Sequence, residues 1–349
     1  MSYNTLVLLA ADGIDNRAVT PSQSVLRVIF MGSPEFALPA LVALHQKNTI
    51  RVSLVVCQTD KKAGRGQVLQ ACPVKQKSLE LGLEVLAPTT LKDLSIQQLL
   101  KEKNADIFIV AAYGMLLPQV VLDIPRYGCL NIHASLLPKY RGAAPIAYAL
   151  LEGEKRTGIS LMRMEAGLDT GPVYYQAPMN ILEHDTTLTL TEKLADLGAS
   201  VLIEKLPDII SGKLPAVPQT SFANEPSYAP KLKKATGQLD FKKDALSLVN
   251  QIRALYPWPK AFFIHHQKTI QVLAAENVEA TGIPGTVLHA DKDQLVVACQ
   301  KGALRILEVQ PQDKKRMLAR DWVLGRGISP HEKIEYCAHG PLSAKRLIN

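Results

Sequence analysis

From Val25 to Ile132 the chain alternates short, nearly unbroken apolar runs with segments whose apolar residues recur every three or four positions. The runs are Val25–Met31 (VLRVIFM), Ile50–Cys57, Glu84–Ala87, Asp106–Ala112 (DIFIVAA) and Gly128–Ile132 (GCLNI). They are rich in β-branched residues and short enough to be strands. Between them the spacing predicts helices from Ser33-Pro34-Glu35 to about His45, over Val74–Leu81, over Ile96–Lys103 and around Val120. Ser33 is the expected N-cap of the first, with Pro34 in its opening turn. Strands that alternate with helices form a parallel sheet, and strands without polar alternation are those covered on both faces. The predicted class is α/β: a doubly wound, mostly parallel, Rossmann-like domain.

The pattern then changes. Gly158–Met164 reads as a strand and Leu188–Ser211 as a helix, followed by a Pro-rich, small-polar stretch over residues 213–230 that reads as a linker. Beyond it, Leu246, Val249, Ile252 and Leu255 mark one helix face, which stops at Tyr256-Pro257-Trp258-Pro259. Five short strands follow at Ala261–Ile264, Ile270–Ala274, Gly285–His289, Leu295–Ala298 and Leu304–Val309. Short strands evenly spaced by polar turns predict a small OB-like β-barrel. The expected organisation is a catalytic domain over 26–212, a linker over 213–230 and a smaller barrel over 231–349. Residues 1–25 show no periodicity and read either as a disordered tail or as an upstream extension of the reading frame.

Length and composition agree with two cores, since 349 residues with 47% hydrophobic content exceed one ordinary domain. No apolar run reaches the roughly 18 residues of a membrane helix, and Leu6–Ala11 lacks a signal peptide's basic flank. No membrane association is expected. Five widely separated cysteines without a CxxC pair suggest neither a zinc ribbon nor a disulfide framework, and point to the reducing cytoplasm. Charge is divided unevenly. Residues 1–230 hold 21 basic and 21 acidic side chains, whereas residues 231–349 hold 19 basic and 11 acidic, so the whole +8 excess lies in the last third. A neutral body joined to a basic module suits a polyanionic partner, though a solvated lysine-rich surface has the same composition.

The first strand turn, GSPEFA, has one glycine, so the three-glycine dinucleotide fingerprint is absent. The unusual chemistry lies in NIHASLLPKYRGAAP, residues 131–145. On an extended chain Asn131 and His133 point to one side, at a strand's end. A carboxamide beside an imidazole suits acyl transfer, where both can stabilise charge developing on a carbonyl oxygen and the imidazole can manage protons. A turn-forming Asn next to a satisfied core His has the same spacing. The turn Gly167-Leu168-Asp169-Thr170-Gly171 can bring a carboxylate to His133, raising its pKa and fixing its orientation; an Asp capping a turn is the plainer reading. Two further loops stand out. Thr59–Gln67 sets Arg65 between Gly64 and Gly66, and Ala112–Pro118 leaves its strand through Gly114.

Taken together, VIFMGSPEFA, DKKAGRG, VAAYGMLLP, NIHASLLPKYRGAAP, GLDTG, GQLDF and IRALYPWPKAF resemble the methionyl-tRNA formyltransferase family over nearly the whole chain from Leu26. That resemblance implies formyl transfer from 10-formyltetrahydrofolate to the α-amine of initiator methionyl-tRNA, releasing tetrahydrofolate without a metal. It implies Asn131, His133 and Asp169 as the catalytic trio, a pterin pocket at Tyr113, Gly114, Met115, Leu116 and Leu117, and folate contacts at Ser135, Leu136, Leu137 and Pro138. It matches Arg65, in its Gly64–Gly66 loop, to an arginine that places the aminoacyl end. With the charge excess it assigns tRNA contacts to Lys231, Lys233, Lys234, Lys314, Lys315, Arg316 and Arg320. Ala134 stands where the family often has glycine, and Lys61-Lys62 where Arg-Pro is more usual. The rivals are a sugar-nucleotide N-formyltransferase, which needs no broad basic surface, and a noncatalytic tRNA- or folate-binding protein, which has no need of all three catalytic groups. A glycinamide ribonucleotide formyltransferase lacks the second domain, and formyltetrahydrofolate dehydrogenase needs a dehydrogenase domain. No sustained apolar stripe demands a partner subunit, so a monomer is the default.

Overall fold

The computed structural model describes residues 25–63, 68–325, 327–334 and 336. Residues 1–24 of the stretch read as a tail, Gly64, Arg65, Gly66 and Cys337 lie outside the described residues. Seven strands form the first sheet: β1 (Leu26–Gly32), β2 (Ile50–Val56), β5 (Val85–Leu86), β6 (Ile107–Ala111), β7 (Cys129–His133), β8 (Arg156–Arg163) and β9 (Val173–Asn180). Between β2 and β5 a two-stranded hairpin, β3 (Lys61–Ala63) and β4 (Val68–Gln70), occupies what the sequence suggests is a plain mobile loop. The sheet order is β5-β2-β1-β6-β7-β8-β9, parallel as far as β7 and antiparallel beyond. β9 is absent from the sequence expectation because VYYQAPMN mixes polar and apolar residues and contains a proline, which an edge strand tolerates.

Burial of Val28–Met31 on both faces explains the apolar run within β1. Val28 and Phe30 enter one core with α1 (Leu38–His45), α2 (Pro73–Glu80), α5 (Pro145–Leu151) and α6 (Thr187–Ile210); Ile29 and Met31 enter the opposite core with α3 (Leu94–Glu102) and α4 (Gln119–Leu122). α6 starts at a reciprocal cap, Thr186 with Thr189, and lies across the sheet. The predicted cap of the first helix is not made. Pro34 occupies that position, and Ser33 instead accepts the Gln58 N–H at 3.1 Å and donates to the Tyr113 carbonyl at 3.4 Å. Ser33 thereby ties together the loops after β1, β2 and β6, where the strand order reverses and doubly wound sheets bind ligands.

The chain after residue 230 builds a second core from Phe241, Leu248, Ile252, Phe263, Val272, Ile306 and Trp322, among others. Its elements are α7 (Ala245–Ala254), β10 (Ala261–His265), β11 (Lys268–Val278), β12 (Val287–Ala290), β13 (Leu295–Ala298), β14 (Ala303–Pro311), β15 (Met317–Leu318) and α8 (Ala319–Leu324). The sheet is antiparallel in the order β10-β11-β14-β13-β12, with β15 beside β14, and no strand pair among the described residues closes it into a barrel. α7 joins this unit to the first: the Thr187 hydroxyl donates to the Ala254 carbonyl at 2.6 Å, and Arg253 to the Leu182 carbonyl at 3.1 Å. No helix among the described residues is long and apolar enough to cross a membrane.

Candidate active site

Packing fixes which way the end of β7 faces. Leu130 and Ile132 enter the α6 side of the sheet and Cys129 the α3 side, so by alternation Asn131 and His133 emerge together on the Cys129 face. They keep only 8% and 5% of their surface. Asn131 pairs with Val110 of β6, and His133 with Ser160 of β8. Both therefore stand at the carboxyl edge of the parallel strands, next to the turn that starts at Ala112 with φ 47°.

Asp169 reaches them from the turn after β8, with its backbone in the left-handed region at φ 51°. Its Oδ2 accepts the Gly142 N–H at 2.8 Å and lies 3.7 Å from Nδ1 of His133. The other ring nitrogen, Nε2, is 3.0 Å from the Tyr140 carbonyl. A carbonyl can only accept, so Nε2 carries a proton and Nδ1 is the nitrogen that gains or loses one. Burial pushes the His133 pKa below the ordinary imidazole value; Asp169 and the Tyr140 carbonyl pull it up without reversing the shift. The upward pull expected from Asp169 is present, but it is smaller than the effect of burial. Removing water from a nearly enclosed ring outweighs a carboxylate that is close but not hydrogen-bonded, which favours the neutral imidazole.

The stretch read as a linker supplies part of this site. Ser227–Ala229 runs along the loop before α5: Arg141 N–H donates to the Ser227 carbonyl, Ala229 N–H to the Arg141 carbonyl, and Ala144 N–H to the Ala229 carbonyl. Gly142, at φ +119°, allows this approach, since a Cβ there would lie 2.8 Å from the Ala229 carbonyl oxygen. Gln219 is 5% exposed and bonded through both ends of its amide. Its Oε1 accepts Nε and Nη2 of Arg141 at 3.0 and 2.7 Å, and its Nε2 donates to the carbonyls of Asp169 and Gly171 at 2.8 Å each. Gln219 thus backs the turn that carries Asp169. Sequence reasoning missed it because one amide in a Pro-rich stretch has no local signature.

The expected folate residues divide by environment. Ser135, Leu137 and Pro138 are buried, while Leu136 is partly open. Their loop is held from below: Ser160 Oγ donates to the Ser135 carbonyl at 2.7 Å and accepts the Leu137 N–H at 3.1 Å, and Gln176 donates to the Leu137 carbonyl at 2.6 Å. In the preceding loop Tyr113 and Leu117 belong to the core, Met115 packs on its edge, and Leu116 is 80% exposed. Gly114, at φ +77°, lies against the side chain of Gln58, which donates to the Tyr113 carbonyl at 2.9 Å. The hairpin β3–β4 leaves the sheet directly after Gln58, so its arms rise from this same edge. Two hollows lie elsewhere, one bordered by Asp244, Asn277 and Lys301 and the other by Ala43, Lys47 and Ser200. Neither touches Asn131, His133 or Asp169; the site is marked by its converging polar groups.

The basic residues singled out by charge are all on the surface: Lys231, Lys233, Lys234, Lys314, Lys315, Arg316 and Arg320 are exposed. Arg316 is paired with Glu308 at 2.6 Å, and Arg320 lies 3.7 Å from Asp321. Lys260 connects two of the groups. Its carbonyl lies against Gly237, just after Lys234, and its Nζ donates to Gln310 at 3.0 Å, whose Nε2 in turn donates to the Lys314 carbonyl at 3.1 Å. Trp258, two residues before Lys260, is 51% exposed.

Residues 26–206 match the formyl transferase family, and residues 231–327 match the formyl transferase C-terminal domain. A methionyl-tRNA formyltransferase of Thiobacillus denitrificans is 46% identical over 307 residues, 87% of this chain and 98% of that protein. One from Thermodesulfovibrio yellowstonii is 43% identical over 302 residues, 86% of this chain and 96% of that protein. Among solved structures, the sugar 3N-formyl transferase WlaRD, crystallised with dTDP and 5-N-formyl-THF, superposes with a TM-score of 0.60 at 19% identity over 83% of this chain and 99% of its own. At that identity the likeness establishes the shared fold alone. The matches across both units, with relatives above 40% identity over almost their full length, place the chain in the formyl transferase family, among the methionyl-tRNA formyltransferases.

Proposed function

We propose that this protein transfers the formyl group of 10-formyltetrahydrofolate to the α-amine of methionyl initiator tRNA. The observation that carries the reading is the convergence of Asn131, His133 and Asp169, with Nδ1 of an enclosed imidazole 3.7 Å from the Asp169 carboxylate and burial favouring the ring's neutral form. The amine, with a reference pKa of about 8, has a usable neutral fraction at pH 7. Its lone pair attacks the formyl carbon, and the carbonyl π electrons move to oxygen, where the Asn131 carboxamide donates a hydrogen bond. Nδ1 of His133 takes the proton released by the attacking nitrogen, and the imidazolium so formed is stabilised by Asp169. As the carbonyl reforms, the bond to N10 of the folate breaks; the electron pair goes to N10, which receives the proton from Nδ1. Products are the N-formyl amine and tetrahydrofolate, and Nδ1 of His133 ends unprotonated, having passed the amine proton to N10.

The loop Ser135–Pro138 and the turn Tyr113–Leu117 lie beside these groups and are the proposed folate walls. The exposed Lys233, Lys234, Lys314 and Lys315, with Trp258 near Lys260, suit a phosphate backbone and an unstacked base. A basic surface of this breadth favours tRNA over a nucleotide sugar. The deciding experiment incubates the protein with 10-formyltetrahydrofolate and methionyl initiator tRNA, with a nucleotide amino-sugar in a parallel reaction. Formylmethionine recovered from the RNA supports the reading; formylation of the sugar alone overturns it.

A further inference from the structure

The second unit holds a cluster that formyl transfer does not use. His265 ends β10, His266 opens the turn into β11, and Glu332 lies on the segment that returns beside β12. Main-chain bonds fix that segment: Val287 N–H donates to the Glu332 carbonyl at 2.9 Å, and Ile334 N–H to the Gly285 carbonyl at 2.8 Å. Nε2 of His265 is 3.3 Å and Nε2 of His266 is 3.5 Å from Oε2 of Glu332. One ligating atom from each residue falls within 4.8 Å of the other two.

His265 is only 8% exposed, yet its Nε2 has no hydrogen-bond partner among the described residues. An unpaired buried ring nitrogen is costly and calls for an explanation. The carboxylate oxygen is near enough in distance but lies off the direction in which the ring nitrogen points. A bridging ion accounts for both facts. With bonds of about 2.0–2.1 Å in tetrahedral geometry, two ligand atoms stand roughly 3.3–3.4 Å apart, and the ion sits about 35° off the line joining them. The His265 separation of 3.3 Å matches that edge, and the His266 separation of 3.5 Å is close to it. The other carboxylate oxygen, Oε1, accepts the Ser329 N–H at 2.8 Å, which turns Oε2 toward the two rings, the kind of outer bond that orients a metal-binding carboxylate.

We propose that His265, His266 and Glu332 bind a divalent transition-metal cation of the zinc type, with a fourth position left to water. Two imidazoles and one carboxylate suit Zn²⁺, whereas Mg²⁺ and Ca²⁺ favour all-oxygen sites. Bound metal joins the β10–β11 hairpin to the segment carrying Glu332, in a different unit from Asn131 and His133, so it takes no part in formyl transfer.

The test uses the full chain, stripped with a chelator and kept reduced, then titrated with ZnCl₂ by calorimetry and with CoCl₂ by absorption and fluorescence. The Trp322 ring lies 5.9 Å from His265 and reports cobalt by quenching. The expected result is one equivalent of zinc, tetrahedral cobalt bands, quenching of the buried tryptophan, and at least about tenfold weaker binding in His266→Ala and in Glu332→Gln. His266 is exposed, so its alanine variant keeps the fold, which an unchanged Tm of the metal-free protein verifies; formyl transfer is unchanged by zinc loading. Absence of saturable binding at millimolar metal overturns the proposal. So does equal affinity in the His266→Ala/Glu332→Gln double variant, since the metal is then held elsewhere, for example by cysteines.

Discussion

Replacing Gln219 tests whether the Pro-rich segment positions Asp169, the proposed catalytic carboxylate. In Gln219→Leu the side chain keeps its approximate volume but all four bonds of the amide disappear: two from Arg141 and two to the carbonyls of Asp169 and Gly171. Unsatisfied buried groups cost about 1–3 kcal/mol each. Arg141 is partly exposed and recovers water, so the two carbonyls dominate and the expected destabilisation is about 3 kcal/mol. For a domain of this size that lowers Tm by roughly 6–12 °C. Gln219→Glu separates stability from positioning. A carboxylate still accepts from Arg141 but cannot donate to either carbonyl, and its charge repels both, so the turn carrying Asp169 is released while the arginine stays held. A misplacement of about 1 Å is enough to cost roughly a hundredfold in rate. Both variants should therefore lose kcat by about that factor, with little change in the KM for 10-formyltetrahydrofolate, because Ser160 and Gln176 hold the Ser135–Pro138 loop independently. Thermal denaturation and steady-state formylation of methionyl initiator tRNA measure the two effects. Wild-type kcat in Gln219→Glu would refute the reasoning, whatever its Tm.

Asn131→Ala removes one oxyanion donor and should slow single-turnover formylation by about 10²–10³-fold; a smaller loss than tenfold counts against its role. The pH profile follows from the burial of His133, whose folded pKa is below the ordinary value of about 6.5. log(kcat/KM) should fall with slope one below the amine pKa of about 8 and with slope two only once pH drops through the His133 value. Asp169→Asn deletes a charge that raises that value, so the second break should move to still lower pH; a move upward contradicts the assignment. Gly198 of α6 faces Ile132, and a Cβ there would stand 2.8 Å from Ile132 Cγ2. Overpacking costs about 1–3 kcal/mol against a helix-propensity gain of about 1 kcal/mol, so Gly198→Ala should be less stable in urea and slower in turnover, since Ile132 lies between Asn131 and His133. Replacing Lys233, Lys234, Lys314 and Lys315 by alanine should flatten the dependence of log K for tRNA on log[salt] by about 0.7–0.9 for each lost phosphate contact, measured by filter binding; an unchanged slope excludes them from the interface.

Several of these residues are legible in the linear chain. VLRVIFM and DIFIVAA must be doubly covered strands because they offer no polar face to water, and the i, i+2 spacing of Asn131 and His133 fixes that they share a side. The strings NIHASLLPKYRGAAP and GLDTG carry the family resemblance, since each is local in the sequence, while the charge imbalance after residue 230 points only to a polyanionic partner. What depends on contacts between distant segments is not legible. Ser33 looks like a helix cap but bonds across three loops; Gln219 looks like linker but backs Asp169. The charge on His133 could not be read either: the carboxylate that raises its pKa is visible as Asp169, but the burial that lowers it comes from packing around the whole site. Likewise His265 and His266 are adjacent in the chain, yet only the return of the segment carrying Glu332 completes three ligand atoms around one point. Sequence alone determines the periodicity, composition and local chemistry; tertiary structure decides desolvation and long-range hydrogen-bond pairing, because both are set by which distant groups exclude water from the same small volume.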